Sequence, residues 1–254
     1  MINKELERLK KLYWLERLKK LYCELGDIVA KYHIHGISPL VVHWGHYYPM
    51  QPNAGILFVG RAINGSNQRG KYLDQLEVAI QPQNCNNLKW VEEDMQKKGS
   101  NCRRSAFWRV IRGVAKEIYG DSWFEHVAWS DLYKVAPSKG GNPNKRLKGL
   151  QKGKCQEILA QEIMMLSPRI VILFVGNWID NFLFLLNSHQ PTKSIANTVV
   201  WGHGRKSTRE YKVKVYYIDR CVFILTEHPQ GKNEANHITA LVKSINTYMN
   251  RKDL

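Results

Sequence analysis

The chain has few of the features that would place it outside the cell or inside a membrane. Its five cysteines are odd in number and include no Cys-x-x-Cys pair, which argues against a disulfide framework and a compact zinc site. No apolar run approaches the about 18 residues of a membrane-spanning helix, and the first residues are too charged for a signal peptide. We therefore expect an intracellular, cytoplasmic protein without membrane contact, and we predict neither a metal site nor a cofactor.

Acidic residues are scarce relative to basic ones. The 254 residues include 22 Asp and Glu against 38 Lys and Arg, which gives a formal net charge of +16. Such an excess attracts polyanions but carries no information about the fold. Nucleic acid, with DNA favoured over RNA, is therefore the expected partner, and the alternative is a basic surface that only aids solubility.

The N-terminal sequence contains a tandem duplication. Residues 6–14 recur as residues 15–23 with a single difference, Trp14 against Cys23. Nine residues make about two and a half helical turns, so the leucines of the two copies point in opposite directions. We predict a basic amphipathic helical extension at residues 1–25, in which one copy packs on the domain. The other copy would project, bend or mediate self-association, and binding to a membrane surface or a DNA backbone is the alternative.

Residues 26–254 show the alternating pattern of one α/β domain, and we predict a three-layer α/β/α fold with a mainly parallel central sheet. Residues 81–105 are predicted as an irregular insertion with one short helix near 88–97. The predicted strands cover residues 56–60, 127–135, 169–176, 211–218 and 221–226, and the predicted helices cover residues 107–119, 155–166, 179–187 and 236–249.

Two polar loops, residues 60–67 and 228–233, follow predicted buried strands. Ligands of open α/β sheets bind at the carboxyl ends of the strands, so these loops are candidates for one site. Together with two further segments they resemble the uracil-DNA glycosylase superfamily. The landmarks are, in chain order, the loop at Gly60, the strand Asp131-x-x-Lys134-x-x-Pro137, a helix that ends at Ser167-Pro168 before a strand that ends at Gly176, and His228-Pro229.

The resemblance spans residues 54–245 and implies a DNA base-excision enzyme, which hydrolyses the N-glycosidic bond of a flipped, damaged or deaminated base. His228 would donate a hydrogen bond to the departing base. Ala62 stands where many branches carry a water-positioning carboxylate or Asn. Asp74, or a water held by Asn64, is therefore expected to begin hydrolysis, and the alternative for Asp74 is a solvated charge or a helix cap.

The resemblance also implies the residues that bind the base. Asp131 matches an Asn of the family, but an ionised Asp only accepts hydrogen bonds, so uracil is not assumed and a base edge with two donors suits it better. Asp131 could instead bond nearby loop amides. Gly60, Ala62, Tyr72 as a stacking ring, and Asn233 complete the predicted substrate site.

A basic stretch at residues 134–154 contains no Asp or Glu and is predicted as a mobile loop that neutralises phosphates. The predicted contacts to the nucleic-acid backbone are Lys134, Lys139, Lys145, Arg146, Lys148, Arg205, Lys206 and Lys232.

Three functions remain open from the sequence. The first is a DNA glycosylase, and the second is a nucleic-acid-binding relative of the same fold without catalysis, which Ala62 and Asp131 favour. The third is a nucleoside hydrolase, which would need little of the basic stretch.

Overall fold

The computed structural model describes residues 2–49, 54–64, 70–85, 87–185, 195–204, 209–218 and 221–249. The helices of these ranges are α1 (Ile2–Lys31), α2 (Tyr72–Ala79), α3 (Pro82–Cys85), α4 (Lys89–Gln96), α5 (Asn101–Arg104), α6 (Ala106–Tyr119), α7 (Lys145–Leu166) and α8 (Glu234–Met249). Their strands are β1 (Ile37–Pro39), β2 (His43–Trp44), β3 (Ile56–Ala62), β4 (Val127–Tyr133), β5 (Val135–Pro137), β6 (Ile170–Phe174), β7 (Ile195–His203), β8 (Glu210–Ile218) and β9 (Cys221–Thr226). The segments Gly120–Glu125 and Gly176–Leu185 are 3₁₀ helices.

The chain folds into two compact units, each built from three stretches of sequence. The first unit consists of Met1–His43, Arg61–Asn86 and Ser130–Ser167, and the second consists of Trp44–Gly60, Asn87–Trp129 and Pro168–Leu254. Three of the boundaries between the units fall within strands, namely β2, β3 and β4. A separate extension at residues 1–25 and a single domain at residues 26–254 stay predictions.

A seven-stranded sheet has the strand order β2-β4-β3-β6-β9-β8-β7. The pairs β3/β6 and β6/β9 are parallel, whereas β9/β8 and β8/β7 are antiparallel. The chain is therefore an α/β protein, as predicted, but its sheet is mixed instead of mainly parallel. Residues 219–220 alone separate β8 from β9, and so short a connection can join only antiparallel strands.

The second unit has a core in which β6 is buried along its whole length. The rings of Phe58 and Phe174 stack there with centroids 6.2 Å apart. Ser105 directly precedes helix α6, and its hydroxyl accepts from the N–H of Trp108, as an N-cap residue does. The prediction of an irregular insertion at residues 81–105 is corrected, because most of the described residues of this range form α3, α4 and α5. The short helix predicted near residues 88–97 is confirmed as α4.

The first unit contains α1, which packs against α7. The second copy of the duplicated sequence supplies much of the buried face of α1, and Tyr22 is its largest fully buried side chain. The helix continues to Lys31, beyond its predicted end. In the first copy, the side chains of residues 6–12 lie outside the part of the chain whose side chains the structure describes. The buried positions of α1 are Leu15, Leu18, Tyr22, Leu25 and Val29.

Candidate functional site

His228 lies just after β9, on the loop that leads to α8 in the second unit. Its half-buried ring is parallel to the ring of Phe107 on α6, with centroids 6.1 Å apart and an angle of 7° between the planes. The backbone N–H of Gln230 donates to His228 Nδ1 at 3.3 Å. An imidazole that accepts at Nδ1 carries its proton on Nε2. This is the tautomer that a hydrogen bond from Nε2 to a departing base requires.

Lys232 holds the same loop together. Its Nζ donates to the carbonyl oxygen of His228 at 2.7 Å and to that of Gln230 at 3.3 Å. The ammonium also lies 5.0 Å from the centroid of the Tyr211 ring, within the range of a cation–π interaction. Two of its donors thus serve the loop that carries His228, and the predicted phosphate contact at Lys232 stays a prediction.

The end of this loop is fixed by two side chains at the start of α8. Asn233 Oδ1 accepts from the N–H of Asn236 at 3.0 Å, so it caps the helix. Glu234 accepts two hydrogen bonds from Arg109 at 2.9 and 2.6 Å, the bidentate geometry of a strong ion pair. The oxygen of Asn233 is used in the cap. The substrate contact predicted for this residue would therefore be made by its NH2 group.

His237 is a buried residue of this region that the sequence analysis missed. Its Nε2 lies 2.8 Å from Thr226 Oγ1, and its ring stacks on Trp201 with centroids 3.9 Å apart. Burial, assisted by the charge of Lys232, lowers the pKa of His237 to about 3. The imidazole is therefore neutral and joins the end of β9 to the first turn of α8. The sequence signal for its burial was the helical spacing of His237 to Ala240 and Leu241, which are buried as well.

The first predicted loop begins later than expected. Gly60 and Ala62 belong to β3, because a glycine weakens a strand without ending it where pairing continues. Asn64 is exposed, and its Oδ1 accepts from the N–H of Gly141 at 2.7 Å. Asn64 therefore holds the loop that follows β5, and its oxygen is engaged there instead of on a water. Residues 65–69 lie outside the described ones.

Two further predicted site residues lie on α2 of the first unit. Asp74 is exposed in the first turn, where a negative charge interacts favourably with the helix dipole. The hydroxyl of Tyr72 donates to the carbonyl oxygen of Tyr22 at 3.1 Å. A Cβ at Gly26 would lie 2.8 Å from the Tyr72 ring. The ring thus packs against α1, and the prediction of Tyr72 as a base-stacking ring is corrected.

Lys134 is completely buried and cannot contact a phosphate, which corrects its predicted role. Its Nζ donates to Glu162 Oε2 at 2.6 Å and to Ser130 Oγ at 2.5 Å. The hydroxyl of Ser130 donates to the same carboxylate at 2.6 Å. The Tyr22 hydroxyl shares its one proton between Glu162 Oε1 at 3.1 Å and the carbonyl oxygen of Leu40 at 2.5 Å. These contacts join β4, α7 and α1 through one buried polar network. The signal for Glu162 in the sequence was its position on the apolar face of α7, between Ile158 and Leu166.

Asp131 lies in β4, within the strand predicted for it. All residues of this strand are buried, and Asp131 is 2% exposed. Its proposed contact with a base edge stays a prediction.

Exposed cations cluster around the start of α7. Lys139, Lys145 and Arg146 are exposed, and Lys148 is half-buried. Residues 145–154 form the first half of α7, so the prediction of a mobile loop is corrected for them. The reason is that Asn144 Oδ1 caps the helix by accepting from the N–H of Leu147 at 2.9 Å. Two predicted contacts, Arg205 and Lys206, lie outside the described residues.

The described residues contain no group of three or more His, Cys, Asp and Glu side chains placed to hold a metal ion. Within the same ranges, no helix combines the length and the apolar character needed to cross a membrane. Burial raises the pKa of Cys85, Cys102 and Cys155 to about 12. These three thiols are therefore protonated at neutral pH and are poor nucleophiles.

Comparison with protein-family models and with curated proteins finds no match to this chain. The structure defines an α/β protein with a mixed seven-stranded sheet. Membership of the uracil-DNA glycosylase superfamily stays a prediction that rests on the sequence landmarks.

Proposed function

We propose that this protein binds nucleic acid and hydrolyses the N-glycosidic bond of a flipped base, on a three-layer fold like that of the uracil-DNA glycosylases. The observation that carries the proposal is the state of His228. Its ring is held against Phe107, and its Nδ1 accepts from Gln230. This arrangement engages Nδ1 as an acceptor, so Nε2 is the ring nitrogen that carries the donating proton.

In the proposed reaction the bond between C1′ of the sugar and the base nitrogen breaks, and its electron pair leaves with the base. Water then adds to C1′ and releases a proton. The Nε2–H of His228 stabilises the negative charge that develops on the base, as a preorganised donor does in an oxyanion hole.

Lys139, Lys145 and Arg146 support the nucleic-acid part of the proposal. Lys145 and Arg146 lie in the first turn of α7, at the positive end of the helix dipole. Cations at this end repel the dipole, and a bound phosphate relieves that repulsion. No Asp or Glu occurs between residues 132 and 156, so this surface favours a polyanion.

A second candidate is a nucleic-acid-binding protein without catalysis. The observation that favours it is the engagement of Asn64 Oδ1 by Gly141, together with the exposed position of Asp74. Both the Asn64 amide and the Asp74 carboxylate are thus exposed, whereas a general base is usually buried and held in place by hydrogen bonds.

Single-turnover release of free base tests the proposal, with end-labelled single- and double-stranded DNA that carries uracil, hypoxanthine or xanthine. We expect His228→Ala to slow release by about 100-fold or more, the effect of removing one oxyanion-hole donor. His126→Ala is the matched control, because His126 also stacks on an aromatic ring, that of Tyr119. It should release base at the normal rate.

The other outcomes separate the candidates. Salt-sensitive DNA binding without release would favour the binding protein. Release from free nucleosides without DNA affinity would favour a nucleoside hydrolase. If the protein neither binds DNA nor releases base, both proposals are overturned.

A further inference from the structure

The C-terminal end of α1 carries an exposed aromatic ring among cationic groups. Tyr32 is 43% exposed, and its neighbours Lys31, His33 and His35 are exposed as well. An exposed tyrosine contributes little to the free energy of folding, because its ring stays in water. No Asp or Glu occurs from residue 28 to residue 73, so no acid of the same segment neutralises this end of the helix.

A second cationic segment is bound to the same place. The N–H of Ser138 donates to the carbonyl oxygen of Gly36 at 2.8 Å, which places Lys139 beside the loop after α1. Arg146 Nη2 donates to the carbonyl oxygen of Tyr32 itself at 3.3 Å. The end of α1 and the start of α7 therefore form one surface of the first unit, which we call the Tyr32 surface: Lys31, Tyr32, Lys139, Lys145 and Arg146.

The acidic groups near this surface are few. Asp27 is exposed one helical turn before Lys31. Glu24 is paired with Lys154 at 2.7 Å. The Tyr32 surface thus keeps a net positive charge, and Arg146 is placed so that one guanidinium nitrogen contacts the backbone of the aromatic residue.

We infer that the Tyr32 surface binds single-stranded nucleic acid, with an unpaired base stacked on the Tyr32 ring and the flanking phosphates held by Lys31, Lys139 and Arg146. A ring among cations matches the two parts of a nucleotide, because bases stack on aromatic side chains while phosphates contact Lys and Arg. The bases of a duplex are already stacked on each other, so the ring adds affinity only for an unpaired base. This inference rests on the nucleic-acid binding of the proposed function, but not on its catalysis.

Fluorescence anisotropy with a labelled oligothymidylate and with a duplex of equal length tests the inference. Stacking on one aromatic ring contributes about 1–3 kcal/mol per base, so Tyr32→Ala should weaken single-strand binding by about 5- to 150-fold. It should change duplex binding less than twofold and leave the salt dependence unaltered. Tyr32→Phe keeps the ring and should bind single strands as the unmodified protein does.

Tyr47→Ala is the matched control, because Tyr47 is 60% exposed and residues 43–49 contain no Lys or Arg. Its single-strand affinity should be unchanged. Arg146→Gln should lower the slope of log K against log salt by about 0.7, the value for one phosphate contact to a single strand. Circular dichroism shows whether each variant is folded.

Equal single-strand affinity of Tyr32→Ala and the unmodified protein would overturn the inference. So would a loss in Tyr32→Phe as large as that in Tyr32→Ala, or the absence of any oligothymidylate binding. The base-release assay gives an independent result. Tyr32-dependent binding without release would refute the glycosylase alone, and release with unchanged Tyr32→Ala binding would refute this surface alone.

Discussion

Lys134 and Glu162 form an ion pair of 2.6 Å in which both side chains are completely buried. Removing two charges from water costs several kcal/mol per ion, and the pair recovers this only where further hydrogen bonds complete it. Ser130 and Tyr22 provide those hydrogen bonds. The stability of the first unit therefore depends on four side chains that must be present together, namely Lys134, Glu162, Ser130 and Tyr22.

Removing one partner of this pair should be more damaging than removing both. Glu162→Leu leaves the Lys134 ammonium buried without its counter-ion, and we expect the free energy of unfolding to fall by about 3–5 kcal/mol. The double variant Lys134→Met with Glu162→Leu should recover most of that loss. Urea unfolding measures both. The exposed pair Lys89–Glu93 is the control, and strict additivity of the two single changes at Lys134 and Glu162 would contradict the argument.

Stability should fall with acid because of His237. In the unfolded chain a histidine has a pKa of about 6.5, whereas burial lowers the pKa of His237 to about 3. The unfolded state therefore binds more protons between these values, and stability decreases as the pH falls below 6.5. Between pH 6 and pH 5 we expect a loss of about 1.2 kcal/mol from this group.

His237→Phe should flatten this part of the stability curve in urea unfolding at pH 7, 6 and 5. His126→Phe is the control and should retain the slope of the unmodified protein. An unchanged slope in His237→Phe would show that other groups cause the acid sensitivity.

Phe107 should support base release through its contact with His228. Parallel aromatic rings contribute about 0.5–1.5 kcal/mol beyond their burial, so Phe107→Leu should slow single-turnover release by about 2- to 12-fold. DNA affinity should stay within a factor of two. Phe124→Leu, which removes an aromatic ring from the Gly120–Glu125 segment, should leave release unchanged. A loss of affinity equal to the loss of rate would argue against a positioning role.

The thiols should react in two groups. Cys23 and Cys221 are half-buried, whereas Cys85, Cys102 and Cys155 are buried with pKa values raised to about 12. Only a thiolate attacks a disulfide reagent. Titration of the folded protein with a chromogenic disulfide at pH 8 should therefore modify Cys23 and Cys221 alone, and urea should expose the other three. Mass spectrometry of the modified peptides identifies the sites.

The sequence was informative where a hydrophobic pattern is continuous. The buried run at residues 170–174 and the alternation at 211–218 predicted β6 and β8, because burial on one or two faces determines which residue types occur there. The first half of α7 was missed, since Gly149, Gly153 and the five cations from Lys145 to Lys154 obscure its helical period. The cap at Asn144 was the signal that remained.

Contacts between distant residues could not be predicted in the same way. Lys134 belongs to a lysine-rich stretch, and only the buried position of Glu162 distinguishes it from its neighbours. The contact of Phe107 with His228 depends on how α6 packs beside the β9–α8 loop, which no local pattern specifies. Tyr72 is predicted as a stacking ring, but Gly26 on α1 provides the space into which it packs.

The hydrogen bond from Tyr22 to Glu162 joins residues 140 positions apart, and this separation has a consequence for biosynthesis. A ribosome adds about 5–20 residues per second, so α1 emerges roughly 7–28 seconds before the carboxylate that it must meet. During that interval the nascent helix exposes Leu18 and Leu25 to solvent. A chaperone that shields short leucine-rich segments would therefore find a target in α1 before α7 has been synthesised.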